Sequence, residues 1–184
     1  MKFLHIDGSS REDGNASTLA KYLLQDLPFE EIALRDYQIQ LITDERHSEQ
    51  GFVPLGDDYD RLLPTFLEAD YVVFSSPIYW YGLSAQLKAF IDRWSESMRI
   101  VPDFQAKIKH KKVFLIIVGG DDPYRKGLPT VQQFEYIAEF LELDLQGHLI
   151  GIGNKPDDIL QDHIALDQAK QINQQLQHIK ESVQ

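Results

Sequence analysis

The 184-residue sequence contains no cysteine. Disulfides, thiolate nucleophiles, Cys-ligated zinc and Cys-ligated iron–sulfur clusters within the chain are thereby excluded. Basic residues are also scarce: 18 Lys and Arg face 29 Asp and Glu, for a formal net charge of -11. The resulting negative field repels nucleic acid phosphates and anionic membrane surfaces, so neither is an expected partner. No apolar run is long enough to span a bilayer. Met1-Lys2-Phe3-Leu4 leads directly into a strand-like run, without the apolar stretch or small-residue cleavage site of a signal peptide. A cytoplasmic location is expected. The histidines, His5, His47, His110, His148, His163 and His178, show no closely spaced ligand pair, and no metal site is expected. Missing too are the Gly-x-Ser-x-Gly elbow of α/β-hydrolases, the Gly-x-x-x-x-Gly-Lys-Ser/Thr phosphate loop and the Gly-x-Gly-x-x-Gly dinucleotide turn.

What is present is an ordinary globular composition, 43% hydrophobic and 26% charged, which gives no support to a disordered or fibrous chain. The length suits one domain, residues 1–184, with enough material to bury a core around a central sheet. Strand-like and helix-like stretches alternate about five times. Phe3, Leu4 and Ile6 begin a strand, followed by Ala16, Leu19, Ala20, Leu23 and Leu27 at helical spacing. Phe29 to Leu34 forms a second, less apolar strand, as suits the sheet edge. Arg35 to Gly56 is a long polar connection, of a length that is usually functional or partly disordered. Asp57 to Glu68 has a helical pattern in which Pro64 predicts a kink or a break.

Tyr71-Val72-Val73-Phe74 and Val113-Phe114-Leu115-Ile116-Ile117-Val118 are continuous apolar runs, as expected of parallel strands buried on both faces. Ser84 is the expected cap of the helix carrying Leu87, Phe90, Ile91 and Trp94. Thr130 to Gln133 matches a capping box, Leu145 to Ile152 supplies the last strand, and Asp158 is the expected cap of the final helix. The pattern predicts an α/β fold: a flavodoxin-like three-layer sandwich, with a five-stranded parallel sheet in order 2-1-3-4-5 and helices on both faces. In that order ligands sit outside the carboxyl ends of the strands, where the winding reverses between the first and third.

The loops at that edge carry the chemistry. Gly8-Ser9-Ser10-Arg11-Glu12-Asp13-Gly14-Asn15-Ala16-Ser17 joins a strand to a helix N-terminus, where unpaired backbone N–H groups and the positive end of the macrodipole favour an anion such as a terminal phosphate. The plainer alternative is an ordinary strand-to-helix turn in which Asn15 or Ser17 caps the helix. Tyr79, Trp80 and Tyr81, behind Pro77 and Ile78, offer a flat wall to an aromatic ring system, with backbone donors from Gly119 and Gly120 beside it. Alternatively these aromatics pack on neighbouring structure or on a partner subunit. Taken jointly, the loops suggest a phosphorylated planar cofactor of the shape of FMN.

Gly8-Ser9-Ser10-Arg11 with Gly14-Asn15, then Ser76-Pro77-Ile78-Tyr79-Trp80 with Ser84, Gln86-Leu87-Lys88 and Phe90-Ile91-Asp92-Arg93, resembles the NADPH-dependent FMN reductase family, and in particular the branch that includes the iron–sulfur flavoproteins. The similarity runs from the first strand to about the last. It implies an FMN-dependent NAD(P)H oxidoreductase that transfers hydride by a ping-pong route to a small acceptor such as a quinone, free flavin, azo compound or metal ion. By match with the family, Ser9, Arg11, Asn15, Ala16 and Ser17 would hold the FMN phosphate. Pro77, Ile78, Tyr79, Trp80 and Tyr81 would line the ring and ribityl chain, and Gly119, Gly120 and Asp121 would give the third flavin contact.

No side chain is expected to act as general acid or base, because the flavin carries the chemistry. Family members pair as dimers or tetramers, and Trp94, Met98 and Ile100 are candidate contact residues. Iron–sulfur members carry clustered cysteines where this chain reads Ile39 to His47, so a cluster is not expected here. Ala16 replaces a frequent threonine, with Ser17 and Thr18 available to compensate. If NADPH is the donor, local cations must offset the acidic field, and Arg93, Arg99, Arg125 and Lys126 are the candidates. A different class, a non-enzymatic flavodoxin-type electron carrier, suits the same acidity and fold. A third reading is a flavin-free binding domain that keeps the fold.

Overall fold

The computed structural model describes residues 1–182; the expected unit over 1–184 ends in two residues outside that range. Five strands, β1 (Phe3–Asp7), β2 (Phe29–Ala33), β3 (Tyr71–Pro77), β4 (Lys112–Gly119) and β5 (Asp144–Ile152), form a wholly parallel sheet in order 2-1-3-4-5. The expected topology is therefore observed. Register aligns the strand ends, with Asp7 opposite both Ala33 and Ser75. Three further backbone bonds tie the emerging loops together: Gly8 N–H to Ser75 O (2.8 Å), Ile78 N–H to Val118 O (2.8 Å) and Gly153 N–H to Gly119 O (3.0 Å). The loops that carry the candidate residues thus start from one braced edge.

Helices α1 (Asn15–Leu23) and α8 (His163–Ser182) cover one face of the sheet. Leu19, Leu23, Ala165, Ala169 and Leu176 are buried there with Val73 and Ile116. The other face carries α2 (Tyr59–Glu68), α3 (Ala85–Asp92), α4 (Trp94–Ile100), α5 (Phe104–Ile108) and, after the short α6 (Pro123–Lys126), α7 (Leu128–Phe140). Its centre is aromatic: Phe66 stacks on Trp94 at 5.2 Å, and Phe74 meets Phe134 at 5.3 Å. Trp94, a candidate subunit contact by sequence, is instead enclosed in this core, where Met98 packs against it.

Pro64 does not break α2, which continues from Tyr59 to Glu68. Burial of Tyr59, Leu62, Leu63 and Phe66 secures the helix. The carbonyl of Asp60, deprived of the N–H that Pro64 lacks, belongs to an exposed turn that water reaches. The long connection is pinned at its base by Asp57 and Asp58, which accept the backbone N–H groups of Gln40 (2.6 Å) and Gln38 (2.8 Å). Arg93 completes that clamp. Wholly enclosed, it meets Asp57 at 2.7 Å and Glu96 at 2.6 Å, and lies 4.5 Å from the Tyr59 ring centre. It is therefore a structural cation and not the coenzyme contact that the sequence suggested.

Two caps differ from expectation. Helix α7 begins at Leu128, with Pro129 in its first turn, where its missing donor costs nothing. Thr130 lies inside the helix and donates its hydroxyl to the Tyr81 carbonyl at 2.9 Å instead of capping. Asp158 opens a 3-10 turn over Asp158–Gln161, and it is Asp162 whose carboxylate accepts the Ala165 N–H (3.1 Å) at the start of α8. Ser84 does cap α3, its Oγ accepting the Leu87 N–H at 3.2 Å.

Candidate functional site

The loop from β1 to α1 rests on a buried polar platform. Asp7, at the end of β1, accepts hydrogen bonds from the Ser9 backbone (2.9 Å), Arg35 Nη1 (2.6 Å) and the Ser75 hydroxyl (3.2 Å). Behind it, the His5 ring bridges Ser75 (2.8 Å) and Glu31 (3.1 Å). The hydrogen bond from His5, helped by Lys21, pulls the Glu31 carboxyl down to about 2 against the opposing effect of burial. Strand residues that the sequence reading passed over therefore fix the loop from below.

Above the platform the helix start is left open. Gly14 is the N-cap of α1 and no side chain bonds to the first turn, so neither Asn15 nor Ser17 caps it. Asn15 instead joins α1 to the segment after β5, with Nδ2 donating to the Lys155 carbonyl at 2.8 Å and Oδ1 accepting the Ile159 N–H at 3.3 Å. The hydroxyls of Ser9 and Ser17 are buried without a hydrogen-bond partner among the described residues. Buried hydroxyls left unpaired are costly and uncommon in folded proteins. Together with the free N–H groups of the helix start, they form a donor set suited to an anion. Gly14 is required sterically, since a Cβ there would fall 2.5 Å from Ser9 Oγ. A Cβ on Gly153 would likewise fall 2.7 Å from Asn15 Nδ2.

The aromatic loop is a tight hairpin. Tyr79 and Gly82 exchange two backbone bonds of 3.1 Å, and Trp80 (φ 49°) and Tyr81 (φ 64°) both take left-handed backbone, as in a type I′ turn. That conformation costs a bulky residue on the order of 1–3 kcal/mol and is found where the surroundings enforce it. Here the flanking rings are tied to the neighbouring loops: the Tyr79 hydroxyl pairs with Ser10 Oγ at 3.0 Å, and the Tyr81 hydroxyl donates to Asp121 at 2.9 Å. Lys126 grips the same Asp121 at 2.7 Å and, with Tyr81, holds its carboxyl below the usual range. Trp80, between them, is 97% exposed.

These loops enclose a cavity of about 280 Å³. Of the residues expected from sequence, Ser9, Arg11, Asn15, Ala16, Pro77, Ile78, Tyr79, Gly119 and Gly120 line it. Trp80, Tyr81 and Asp121 line an adjoining hollow of about 170 Å³ that shares Ile78, Gly119 and Gly120 with the first. Ser17 lies in the first turn of α1 behind the lining. Ser10 and Gly14 of the first loop also line it, and Val118, Gly153 and Asn154, which the sequence did not mark as ligand contacts, complete the wall. The signal for Gly153 was its place straight after β5, at the same edge as the other loops.

A donor-rich pocket at a helix N-terminus, adjoining a second hollow with which it shares Ile78, Gly119 and Gly120, on a 2-1-3-4-5 sheet, defines a flavodoxin-like protein suited to a phosphorylated planar ligand. The chain belongs to the NADPH-dependent FMN reductase family, whose model matches residues 1–142. It is 44% identical over 174 residues, 94% of this chain and 96% of the relative, to YwqN of Bacillus subtilis (strain 168), which is provisionally named an NAD(P)H-dependent FMN-containing oxidoreductase. It is 28% identical to the iron–sulfur flavoprotein MJ1083 of Methanocaldococcus jannaschii, across 97% of each chain. Among solved structures, one titled Trp repressor binding protein from Bacillus subtilis superposes with a TM-score of 0.78 at 37% identity, covering 92% of this chain and 96% of that one. The resemblance read from the loop motifs is borne out.

Proposed function

We propose that the protein is a cytoplasmic, FMN-dependent NAD(P)H oxidoreductase built as one flavodoxin-like unit, and that it delivers hydride by a ping-pong route to a quinone, free flavin, azo compound or metal ion. The observation that carries this reading is the pair of unpartnered buried hydroxyls, Ser9 and Ser17, beside the uncapped start of α1. They fit a phosphate, and family membership supplies the rest of the cofactor. When bound, FMN supplies the redox chemistry, since its ring takes up and releases hydride.

The protein's own task is to bind and orient. Ser9, Arg11, Asn15, Ala16 and Ser17 hold the phosphate. Pro77, Ile78 and Tyr79, with the Gly119 and Gly120 backbone beside them, line the ring. Trp80, Tyr81 and Asp121 form the outer rim, where coenzyme and acceptor enter in turn. No side chain serves as general acid or base. The active form is a homodimer or homotetramer, and neither nucleic acid nor membrane is a partner.

Steady-state assays of the FMN-loaded protein with NADH or NADPH and a water-soluble quinone test the proposal. Sustained turnover is expected. A flavin that is bound but reduced only slowly by either coenzyme would favour the electron carrier, which the net charge of -11 also suits. Failure to take up FMN would favour a flavin-free binding domain.

A further inference from the structure

None of the four cations singled out from sequence is placed to receive the extra phosphate of NADPH unopposed. Arg93 is buried on Asp57 and Glu96, and Arg99, in the last turn of α4, touches neither cavity. Arg125 is engaged by Asp122 at 2.8 Å and Lys126 by Asp121 at 2.7 Å. On the opposite rim Arg11 is paired with Asp13 at 3.2 Å. The segments 8–14, 119–127 and 152–162 around the cavities carry four cations against seven carboxylates, and the aromatic loop 75–84 carries no charge. The mouth is net negative: Arg11, Arg125 and Lys126 are each matched by a neighbouring acid, and Lys155, with no ion pair among the described residues, follows in a segment that holds Asp157, Asp158 and Asp162.

NADH and NADPH differ only in a phosphate on the adenosine ribose, which adds about 1.5 to 2 negative charges at neutral pH. A free arginine or lysine would attract that group. A cation already neutralised by a carboxylate does not, and the surplus acids repel it. We infer that this site prefers NADH to NADPH, and that Asp121 and Asp122 set the preference by neutralising Lys126 and Arg125. The inference rests on the oxidoreductase reading and adds the coenzyme to it. A few surplus charges acting across water, screened over about 8 Å at physiological salt, translate into a discrimination of about three- to tenfold.

The test compares kcat/KM for the two coenzymes with one soluble quinone. NADH is expected to lead by about threefold or more, with the gap closing toward about 1 M salt, where the screening length falls to about 3 Å. Asp122→Asn frees Arg125 while retaining a residue type that tolerates the left-handed backbone at this position, φ 45°. It should shift the ratio several-fold toward NADPH, and adding Arg125→Gln should return it. Calorimetric titration of NAD⁺ and NADP⁺ into the FMN-loaded protein should show the same order of affinities without turnover. Turnover with NADPH preferred, or a ratio unmoved by Asp122→Asn, overturns the inference and leaves the oxidoreductase reading standing. Consumption of neither coenzyme by the loaded protein defeats that reading, and this inference with it.

Discussion

Replacing Ser9 and Ser17 by alanine separates a functional serine from a structural one. In the free protein both hydroxyls are buried with no partner, a condition that costs about 1–3 kcal/mol per group. Alanine removes the oxygen and that cost, leaving only a small void, so each substitution should leave the flavin-free protein as stable as before or firmer by up to about 1 kcal/mol. For a chain of this size that is a rise of about 2–4 °C in Tm. If each hydroxyl donates to the FMN phosphate as proposed, each such bond is worth about 1.5–3 kcal/mol. The dissociation constant should therefore rise by about 10- to 150-fold per serine. Because both groups would serve one ligand, the double variant should not show the simple product. Calorimetric melting of the flavin-free forms and titration by flavin fluorescence quenching measure the two effects. A lower apo Tm with FMN affinity unchanged within twofold would refute the reasoning and make both serines structural.

Other perturbations probe different layers of the fold. Arg11→Glu combined with Asn15→Asp puts two carboxylates at the helix start and removes the Asn15 donor to Lys155, so FMN should be lost on gel filtration; its retention would sink the phosphate assignment. Arg93→Met leaves Asp57 and Glu96 buried without a counter-ion, and should cost about 3–5 kcal/mol in denaturant unfolding, whereas a loss below about 1 kcal/mol would show the cluster to be dispensable. Glu31 has a folded pKa of about 2, below its unfolded value of about 4.3, so its contribution is complete above about pH 4.3 and disappears as the pH falls toward 2. Glu31→Gln should therefore flatten the fall in denaturant midpoint across that window, and a fall parallel to the parent would contradict the pairing with His5.

The elements that could be read from sequence were those in which one strong local pattern agrees with the tertiary outcome. The apolar runs around Val72 and Ile116 are buried on both faces, and their alternation with amphipathic helices leaves few topologies. The loop residues from Ser9 to Ala16 and from Pro77 to Tyr79 follow from strand order, because that order puts their loops at one edge. Illegible were residues whose roles depend on partners far along the chain. Thr130 satisfies the capping pattern, yet its hydroxyl goes to Tyr81, 49 residues away. Asn15 carries the local signature of a cap but binds Lys155, 140 residues on. Arg93 looks like a surface cation until the clamp of Asp57 and Glu96 closes over it. Nothing in the spacing of His5, Asp7 and Ser75 indicates that β1 and β3 bring them into one network.

Whether the start of α1 is a phosphate site is directly measurable. Parallel equilibrium titrations of the flavin-free protein with FMN and with riboflavin, which carries the same ring without the phosphate, measure this. Two or more charge-assisted bonds of about 1.5–3 kcal/mol each predict that FMN binds at least about 100-fold more tightly, and that Ser9→Ala with Ser17→Ala narrows the difference. Equal affinities for the two flavins, or a difference that survives loss of both serines and Arg11, would contradict it.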